Sequence, residues 1–530
     1  MYKVKVFDST LRDGAQAEGI SFSVQDKINI VKSLDELGID YIEAGNPSSN
    51  PKDIEFFEKM KDIELKNARL AAFGSTRRKG VKASEDSNVK SLLSANTQVC
   101  VIFGKSWDFH VKEIIRTSLK ENLEMIFDTV SYLKAAGKEV IFDAEHFFDG
   151  YKNNPKYALK TLKAATDAGA DCLSLCDTNG GCFPSEIYDI IKDVRKSFPD
   201  IEIGIHAHND TGMAVANTVM AVDAGATHIQ GTLIGYGERC GNTNLSTVIA
   251  NLQIKKGIPC IPEENISSLR DIARKIAEIS NIPLSGNMPY VGGSAFTHKA
   301  GMHIDGVTKS PKSFEHIDPE SVGNTRRFLM SEVAGRSTLM KKVNRIDPTI
   351  QKDDPRTAGI IKKVKDLEHY GYQFEGAEAS FELLIKKQLG TYKSYFSLQK
   401  FKTIAEQTHE GDLAAEATAV VKVGVGDESE ITAAEGEGPV NALDTAIRKA
   451  LAHFYPKLND VRLSDYKVRI LDSKDATAAK TRVLIESTDG KDVWTTVGVS
   501  SDIIQASVLA LVDSIEYKLN KDLSYKEENN

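Results

Sequence analysis

The feature that most constrains this 530-residue chain is a punctuation repeated through its first 280 residues. An amphipathic stretch ends on a glycine able to take the left-handed conformation that closes a helix, and an apolar, β-rich run follows within a few residues. The pattern occurs at Leu37-Gly38 before Tyr41-Ile42-Glu43, at Ala136-Gly137 before Val140-Ile141-Phe142, at Ala168-Gly169 before Leu173-Ser174-Leu175, and at Ala224-Gly225 before His228-Ile229-Gln230. Runs beginning at Val4, Leu70, Val99 and Ile201 bring the candidate strands to eight. They alternate with helices such as Ser23 to Leu37, where Ser23 and Asp26 have the spacing of a capping box. Eight βα units predict an α/β architecture, a (β/α)8 TIM barrel over residues 1–280. A doubly wound sheet is the competing architecture, but its GxGxxG turn is missing after the first strand.

Beyond Pro283 the punctuation stops. Residues 281–370 read as helical connecting subdomains, with a Gly-rich stretch (Gly286, Gly292, Gly293) and a charged connector from Lys341 to Lys365. A second unit, 371–520, opens near Gly371 and contains a pseudo-repeat at an offset of 62 residues. Val421, Val423, Ile431 and Gly436 fall opposite Val483, Ile485, Val493 and Gly498. Duplicated ββα-type units predict an α+β module that serves as scaffold and dimerisation surface, as effector site, or as both; glycines 436, 438 and 498 would leave room for a small zwitterion. Residues 521–530 read as a tail.

Charge and composition narrow the function classes. Lys and Arg number 67 against 75 Asp and Glu, a net charge of −8, without a long basic block, which argues against a nucleic-acid binder. No apolar run approaches the ~20 residues of a membrane span, and the N-terminus has no apolar signal core, so a cytoplasmic protein away from membranes is expected. The six cysteines (Cys100, Cys172, Cys176, Cys182, Cys240, Cys260) lack CxxC spacing and are expected to be reduced thiols.

In a barrel the strands' C-terminal ends form the active-site mouth. Those ends carry Arg12 and Asp13, Glu43, Glu145, Asp177 and Thr178, and His206 and His208. His206 and His208, two apart on one strand, point to the same side, and with Asp13 they form a 2-His-1-carboxylate set for a divalent metal with open positions. Arg12 could stabilise negative charge developing on a carbonyl oxygen, or pair with Glu43. Glu145 is an acid/base candidate or a hydrogen-bond anchor. The loop Gly235-Tyr236-Gly237-Glu238-Arg239-Cys240-Gly241-Asn242 would allow close backbone approach to a ligand.

Leu11-Arg12-Asp13-Gly14-Ala15-Gln16, followed by Lys27, together with His206-Ala207-His208-Asn209-Asp210-Thr211-Gly212, resembles the paired signatures of the 2-isopropylmalate, homocitrate and citramalate synthase family. Gly237 to Asn242 and His298 to Gly306 are similar to two further family motifs, and the duplicated module is similar to the family's regulatory domain. Lys105-Ser106-Trp107 and Phe314-Glu315-His316 resemble the branch that uses pyruvate; where many relatives have a Tyr this chain has Phe314, so no phenol can serve there. The resemblance implies a condensation of acetyl-CoA, as co-substrate, with a 2-oxoacid, helped by a divalent metal (Mg²⁺, Mn²⁺ or Zn²⁺). It implies Asn242 beside Asp13, His206 and His208 in the metal shell, Arg12 on the developing alkoxide, and Gln16 and Thr178, with Arg12 and Glu145, on the oxoacid. It further implies Glu145 and His303 as an acid/base pair, with His303 reaching the site of a neighbouring subunit, and a homodimer whose C-terminal module binds isoleucine. Phe73 and Phe103, near the ends of strands three and four, could narrow the oxoacid pocket toward pyruvate. 2-Oxoisovalerate as substrate, a related barrel lyase or aldolase, and a degenerate amino-acid sensor are the alternatives.

Overall fold

In the computed structural model the described residues are 3–47, 50–299, 301–329, 343–344, 346–347, 350, 354–406, 416–471, 479–490 and 492–527. The chain divides into two compact units, residues 1–297 with 315–327, and residues 298–314 with 328–530.

The first unit is the expected barrel. Eight parallel strands close in sequence order: β1 (Lys5–Asp8), β2 (Tyr41–Glu43), β3 (Arg69–Ser75), β4 (Val99–Lys105), β5 (Glu139–Glu145), β6 (Cys172–Asp177), β7 (Glu202–Ala207) and β8 (His228–Gly231). Closure runs through Lys5 opposite His228 and Asp8 opposite Gly231. Between strands the predicted capping chemistry appears in full at helix Val24–Leu37. Ser23 accepts from the Asp26 N–H, the Asp26 carboxylate accepts from the Ser23 N–H, and Gly38 closes the helix at φ 93°. Ile28, Val31, Leu34 and Leu37 on its inner stripe are buried.

Strand side chains alternate between helix layer and barrel interior. Phe7, Tyr41, Val99, Val101, Ile141 and Cys172 fill the lower interior, and the His228 ring lies 5.5 Å from Phe7 and 5.4 Å from Tyr41. The barrel is therefore a packed core rather than a channel. Its N-terminal rim is tied by Lys5 to Glu202 (2.9 Å) and by Arg69 to Glu139, with the Tyr41 hydroxyl donating to Glu139 (2.7 Å).

The second unit contains two three-stranded antiparallel sheets, Ser397–Glu406, Glu416–Val425 and Glu428–Gly436, then Arg462–Ile470, Thr481–Thr488 and Val493–Ser500. Helices Pro439–Ala452 and Ile503–Glu527 follow the first and second sheet, so each duplicated unit has one strand ahead of the ββα pattern. The structural repeat is 64 residues rather than 62, the separation of Gly426 from Gly490 in the two hairpin turns and of Pro439 from Ile503 at the two helix starts. A two-residue slip keeps every side chain on the same face of a strand, which is why the apolar pattern matched at the shorter offset. A Cβ on Gly498 would lie 2.0 Å from the Ala506 carbonyl, and one on Gly436 would lie 2.4 Å from Asn441 Oδ1. These two glycines let helices approach the sheets and leave no room for a ligand beside them, contrary to the expectation there, whereas a Cβ on Gly438 would meet nothing within 4 Å.

The connector expected over 341–365 lies partly outside the described residues, as does Ala300 of the motif His298 to Gly306; the connector's end is already helix, Pro355–Tyr370. The final helix continues through Glu527, into the segment read as a tail. Among the described residues no helix is long and apolar enough to cross a membrane. The six cysteines are unpaired.

Candidate metal and substrate site

The end of β1 and the end of β7 meet at the barrel mouth. The register that sets Cys176 of β6 opposite His206 of β7 leaves His206 and His208 facing the interior, where the turn after β1 delivers Asp13. Asp13 Oδ2 lies 3.1 Å from His206 Nε2 and 3.9 Å from His208 Nε2, and the two Nε2 atoms are 3.4 Å apart. All three residues are buried. The Asn242 amide N–H donates to Asp13 (3.0 Å) and lies 3.3 Å from His206 Nε2.

Several buried polar atoms here have no protein partner among the described residues: Asn242 Oδ1, His208 Nδ1 and Glu43 Oε1. Two converging imidazole nitrogens and a carboxylate are a donor set that fits a divalent ion with open positions, while Asn242 turns its amide nitrogen toward them.

Charge is sharply partitioned. Burial opposes ionisation of Asp13, yet Arg12, His206 and His208 hold its carboxyl well below the usual carboxylate range. Burial likewise opposes the charge on Arg12, but Glu43 and Asp13 keep the guanidinium above its usual range. Arg12 Nε donates to Glu43 (2.7 Å), and Arg12 lies 4.0 Å over the Phe73 ring. Arg12 makes the ion pair with Glu43 and also lies 3.3 Å from Asp13. His206 is buried, but Asp13 raises its pKa; burial and His206 push His208 down to about 4.

Other expected residues are distributed unevenly. Glu145 ends β5 and pairs with Lys105 at the end of β4. Thr178 follows β6, and its hydroxyl accepts from the His146 N–H (2.9 Å). Gln16 is exposed in the short turn Gly14–Gln16. His303 belongs to the second unit, on helix Gly301–Lys309, exposed and stacked on Phe314 with ring centroids 4.2 Å apart. The barrel cluster thus gathers Arg12, Asp13, His206, His208 and Asn242, with Glu145 and Thr178 on adjoining strand ends. The glycine-rich loop folds on itself rather than opening toward a ligand: a Cβ on Gly237 would lie 1.9 Å from Asn242 Oδ1, and one on Gly241 2.1 Å from the Gly235 carbonyl.

Two residues escaped the sequence reading. Gln230 Oε1 lies 2.9 Å from His206 Nδ1, and Gln230 Nε2 donates to Asp143 (3.0 Å). Both are polar residues at inward positions of apolar strands, a signal present in the sequence. Burial first, then Glu43, raises Asp143 to about 6.

The barrel and this cluster define a class, that of barrel enzymes built to hold a divalent ion at the strands' C-terminal mouth. Residues 3–276 match the HMGL-like family, residues 290–371 the homocitrate synthase post-HMGL domain-like family, and residues 375–519 the LeuA allosteric (dimerisation) domain. The chain is 54% identical over 520 residues to a protein of Aquifex aeolicus named (R)-citramalate synthase, and 53% identical over 522 residues to one of the same name from Geobacter sulfurreducens, covering 98% of both chains in each case. A protein of Methanopyrus kandleri named probable 2-isopropylmalate synthase is 32% identical over 513 residues, with 97% of this chain and 98% of that one covered. The chain belongs to the citramalate synthase family, within the HMGL-like barrels.

Proposed function

We propose that this chain condenses acetyl-CoA with pyruvate and, with water, yields citramalate and CoA. The observation that carries this reading is the full-length identity of 54% to a protein named (R)-citramalate synthase, against 32% to one named for 2-isopropylmalate. The Phe73–Phe103 stack, ring centroids 5.3 Å apart, supports it by putting bulk at the mouth, where a small oxoacid is accommodated better than a branched one.

Asp13, His206 and His208, with Asn242, would hold a divalent ion, Mg²⁺, Mn²⁺ or Zn²⁺, which when bound supplies Lewis-acid polarisation of the oxoacid's carbonyl. Arg12, kept cationic by Glu43 and Asp13, stabilises the negative charge that grows on that oxygen as the carbon–carbon bond forms. Thr178, Gln16 and Glu145 orient the oxoacid. The acid/base work falls to Glu145 and His303: a methyl proton leaves the acetyl group, the resulting enolate carbon attacks C2 of pyruvate, and water hydrolyses the thioester to release CoA thiol.

The test is thiol release from acetyl-CoA against a panel of 2-oxoacids. Pyruvate is expected to give the highest kcat/KM, chelator treatment to silence the reaction, and Glu145→Gln and His303→Ala each to lower kcat. A higher kcat/KM for 2-oxoisovalerate, or undiminished turnover without metal, overturns the reading. The match to an allosteric dimerisation domain supports a homodimer in which the second unit binds isoleucine and lowers activity, a coupling of about 1–3 kcal/mol. Deleting residues after Phe374 should abolish that inhibition, and an intact enzyme unaffected by isoleucine refutes it.

A further inference from the structure

At the end of the barrel opposite the Asp13 cluster, β6, β7 and β8 begin with Cys172, Glu202 and His228. A thiol sulfur, a carboxylate oxygen and an imidazole nitrogen, one from each of these strand starts, lie within 4.8 Å of one another. Register brings them together: Cys172 stands opposite Glu202, and His228 stands opposite Gly204, two residues further along β7 on the same face. Gly204 supplies the space. A Cβ there would lie 2.9 Å from His228 Cδ2, so the missing side chain is what lets the ring lie against β7.

Packing alone does not use these donors. His228 is fully buried, and its Nδ1 has no hydrogen-bond partner among the described residues. Its Nε2 lies 3.5 Å from Gln230 Nε2, at the outer limit of a hydrogen bond. A ring needed only to fill the aromatic layer beside Phe7 and Tyr41 would cost less as phenylalanine, because a buried nitrogen without a partner forfeits its hydration. Burial, followed by the charges of Lys5 and Arg69, keeps this imidazole neutral, so one of its nitrogens carries a lone pair. Cys172 is buried beside it. Glu202 is the link to solvent: its side chain is 18% exposed, with Lys5 at 2.9 Å and the Thr227 hydroxyl donating at 3.2 Å. Rim contacts of this kind exchange readily for a stronger cation.

We propose that Cys172, Glu202 and His228 form a second, structural metal site at the N-terminal end of the barrel, selective for a zinc-like ion over magnesium. Donors around a tetrahedral zinc ion stand about 3.3–3.8 Å apart, so side-chain adjustments of about 1 Å close the set, and solvent reaching Glu202 takes the fourth position. Sulfur selects the softer ion, which separates this site from the nitrogen and oxygen donors of the Asp13 cluster. Binding exchanges a proton for the ion: the Cys172 S–H bond breaks, the sulfur keeps the electron pair and donates it to the metal, and the proton leaves to solvent. With one ligand from each of three adjacent strands, the ion cross-links the base of the barrel, four residues and roughly 13 Å along β7 from His206. A position at the N-terminal face assigns it to stability rather than to turnover.

The experiment titrates the metal-free full chain with Co²⁺, which reports a thiolate ligand by charge-transfer absorption in the near ultraviolet. The parent should show that band, millimolar Mg²⁺ should leave it unchanged, and Cys172→Ser should lose it and bind one ion fewer. Glu202→Gln keeps the sulfur and the imidazole, and should weaken the ion that gives the band by at least about tenfold. In His206→Ala, whose mouth lacks a ligand, Zn²⁺ should raise Tm by about 5 °C or more, and adding Cys172→Ser should abolish the shift. A parent without the band, a band that Mg²⁺ removes, or a band of parent strength in Cys172→Ser overturns the assignment. Parent-like Co²⁺ affinity in Glu202→Gln overturns it as well, and this rim variant keeps the test decisive if Cys172→Ser folds poorly.

Discussion

Gln230→Leu tests how the site is held, because it removes the residue that fixes the His206 ring without touching any proposed ligand. His206 directs Nε2 at Asp13, His208 and Asn242, while Nδ1 lies 2.9 Å from Gln230 Oε1. The orientation of the Gln230 amide follows from its other end, where Nε2 donates to the carboxylate of Asp143. Its oxygen is therefore the atom turned to His206, where it accepts the Nδ1 proton, so that Nε2 is the nitrogen left to offer a lone pair to an ion. Leucine deletes the acceptor and frees the ring to place its proton on Nε2, against an ion. Loss of such an outer partner typically costs 10–100-fold in metal affinity, about 1.4–2.8 kcal/mol. Divalent-ion titration followed by calorimetry should show that loss, and thiol release should recover as the ion concentration is raised in proportion. Asp143→Asn should change affinity by no more than about threefold, because an asparagine oxygen still accepts from Gln230. Parent-like ion affinity in Gln230→Leu, or lost activity that excess ion does not restore, refutes the argument.

Two further outcomes concern stability. Asp8 is fully buried; burial, followed by the charge of Glu43, raises it from 3.8 to about 7 against the opposing hydrogen bonds from Thr10. A carboxyl raised on folding contributes stability present below about pH 4 and lost as pH climbs through about 7, up to roughly 4 kcal/mol. Urea unfolding at pH 5 and pH 8 should therefore show a steeper loss for the parent than for Asp8→Asn, and equal losses would contradict it. Lys27 is buried against Asp53 and also donates to the Ala44 carbonyl (3.2 Å). Lys27→Met, which removes the cation from the buried Asp53 carboxylate and leaves it the Asn50 amide (3.1 Å), should cost about 3–5 kcal/mol in chemical unfolding, and adding Asp53→Leu should recover most of it; a double variant no more stable than the single would contradict it.

The barrel was legible because its signals are local. A helix-closing glycine and an apolar run lie within a few residues of each other, and Ser23 with Asp26 forms the predicted box. The His206/His208 pair was legible for the same reason, since same-side placement on one strand follows from its period of two. What stayed hidden depended on which strand lies beside which, and in what register. Gln230 reaches His206 because β8 pairs with β7 so that His206 faces Gln230 directly. Asp143 reaches Gln230 across the interior, from a strand that is not its neighbour. The duplication was detectable but misaligned by two residues, because apolar alternation carries no information on even shifts; the paired turn glycines at 426 and 490 fix it. The close contacts at Gly237, Gly436 and Gly498 were beyond any sequence pattern, since a glycine that admits a ligand and one that admits a neighbouring segment look the same in sequence.

The same interior explains why the mouth's carboxylates do not behave alike. Below them lies the aromatic layer of Phe7 and Tyr41 around His228, whose own pKa burial pushes down to about 3. Above that dry layer, a carboxyl without a cation at its side is driven toward the neutral form, as Asp8 and Asp143 are. Asp13 alone among these three has Arg12 at 3.3 Å and two imidazoles converging on it, and it is driven the opposite way. Groups of one chemical type in one barrel are thus split between an ionised carboxylate beside two imidazoles and weakly acidic carboxyls. That separation makes Asp13 the one of the three carboxyls suited to meet a cation, with Asp143 in contact with Gln230 behind the histidine.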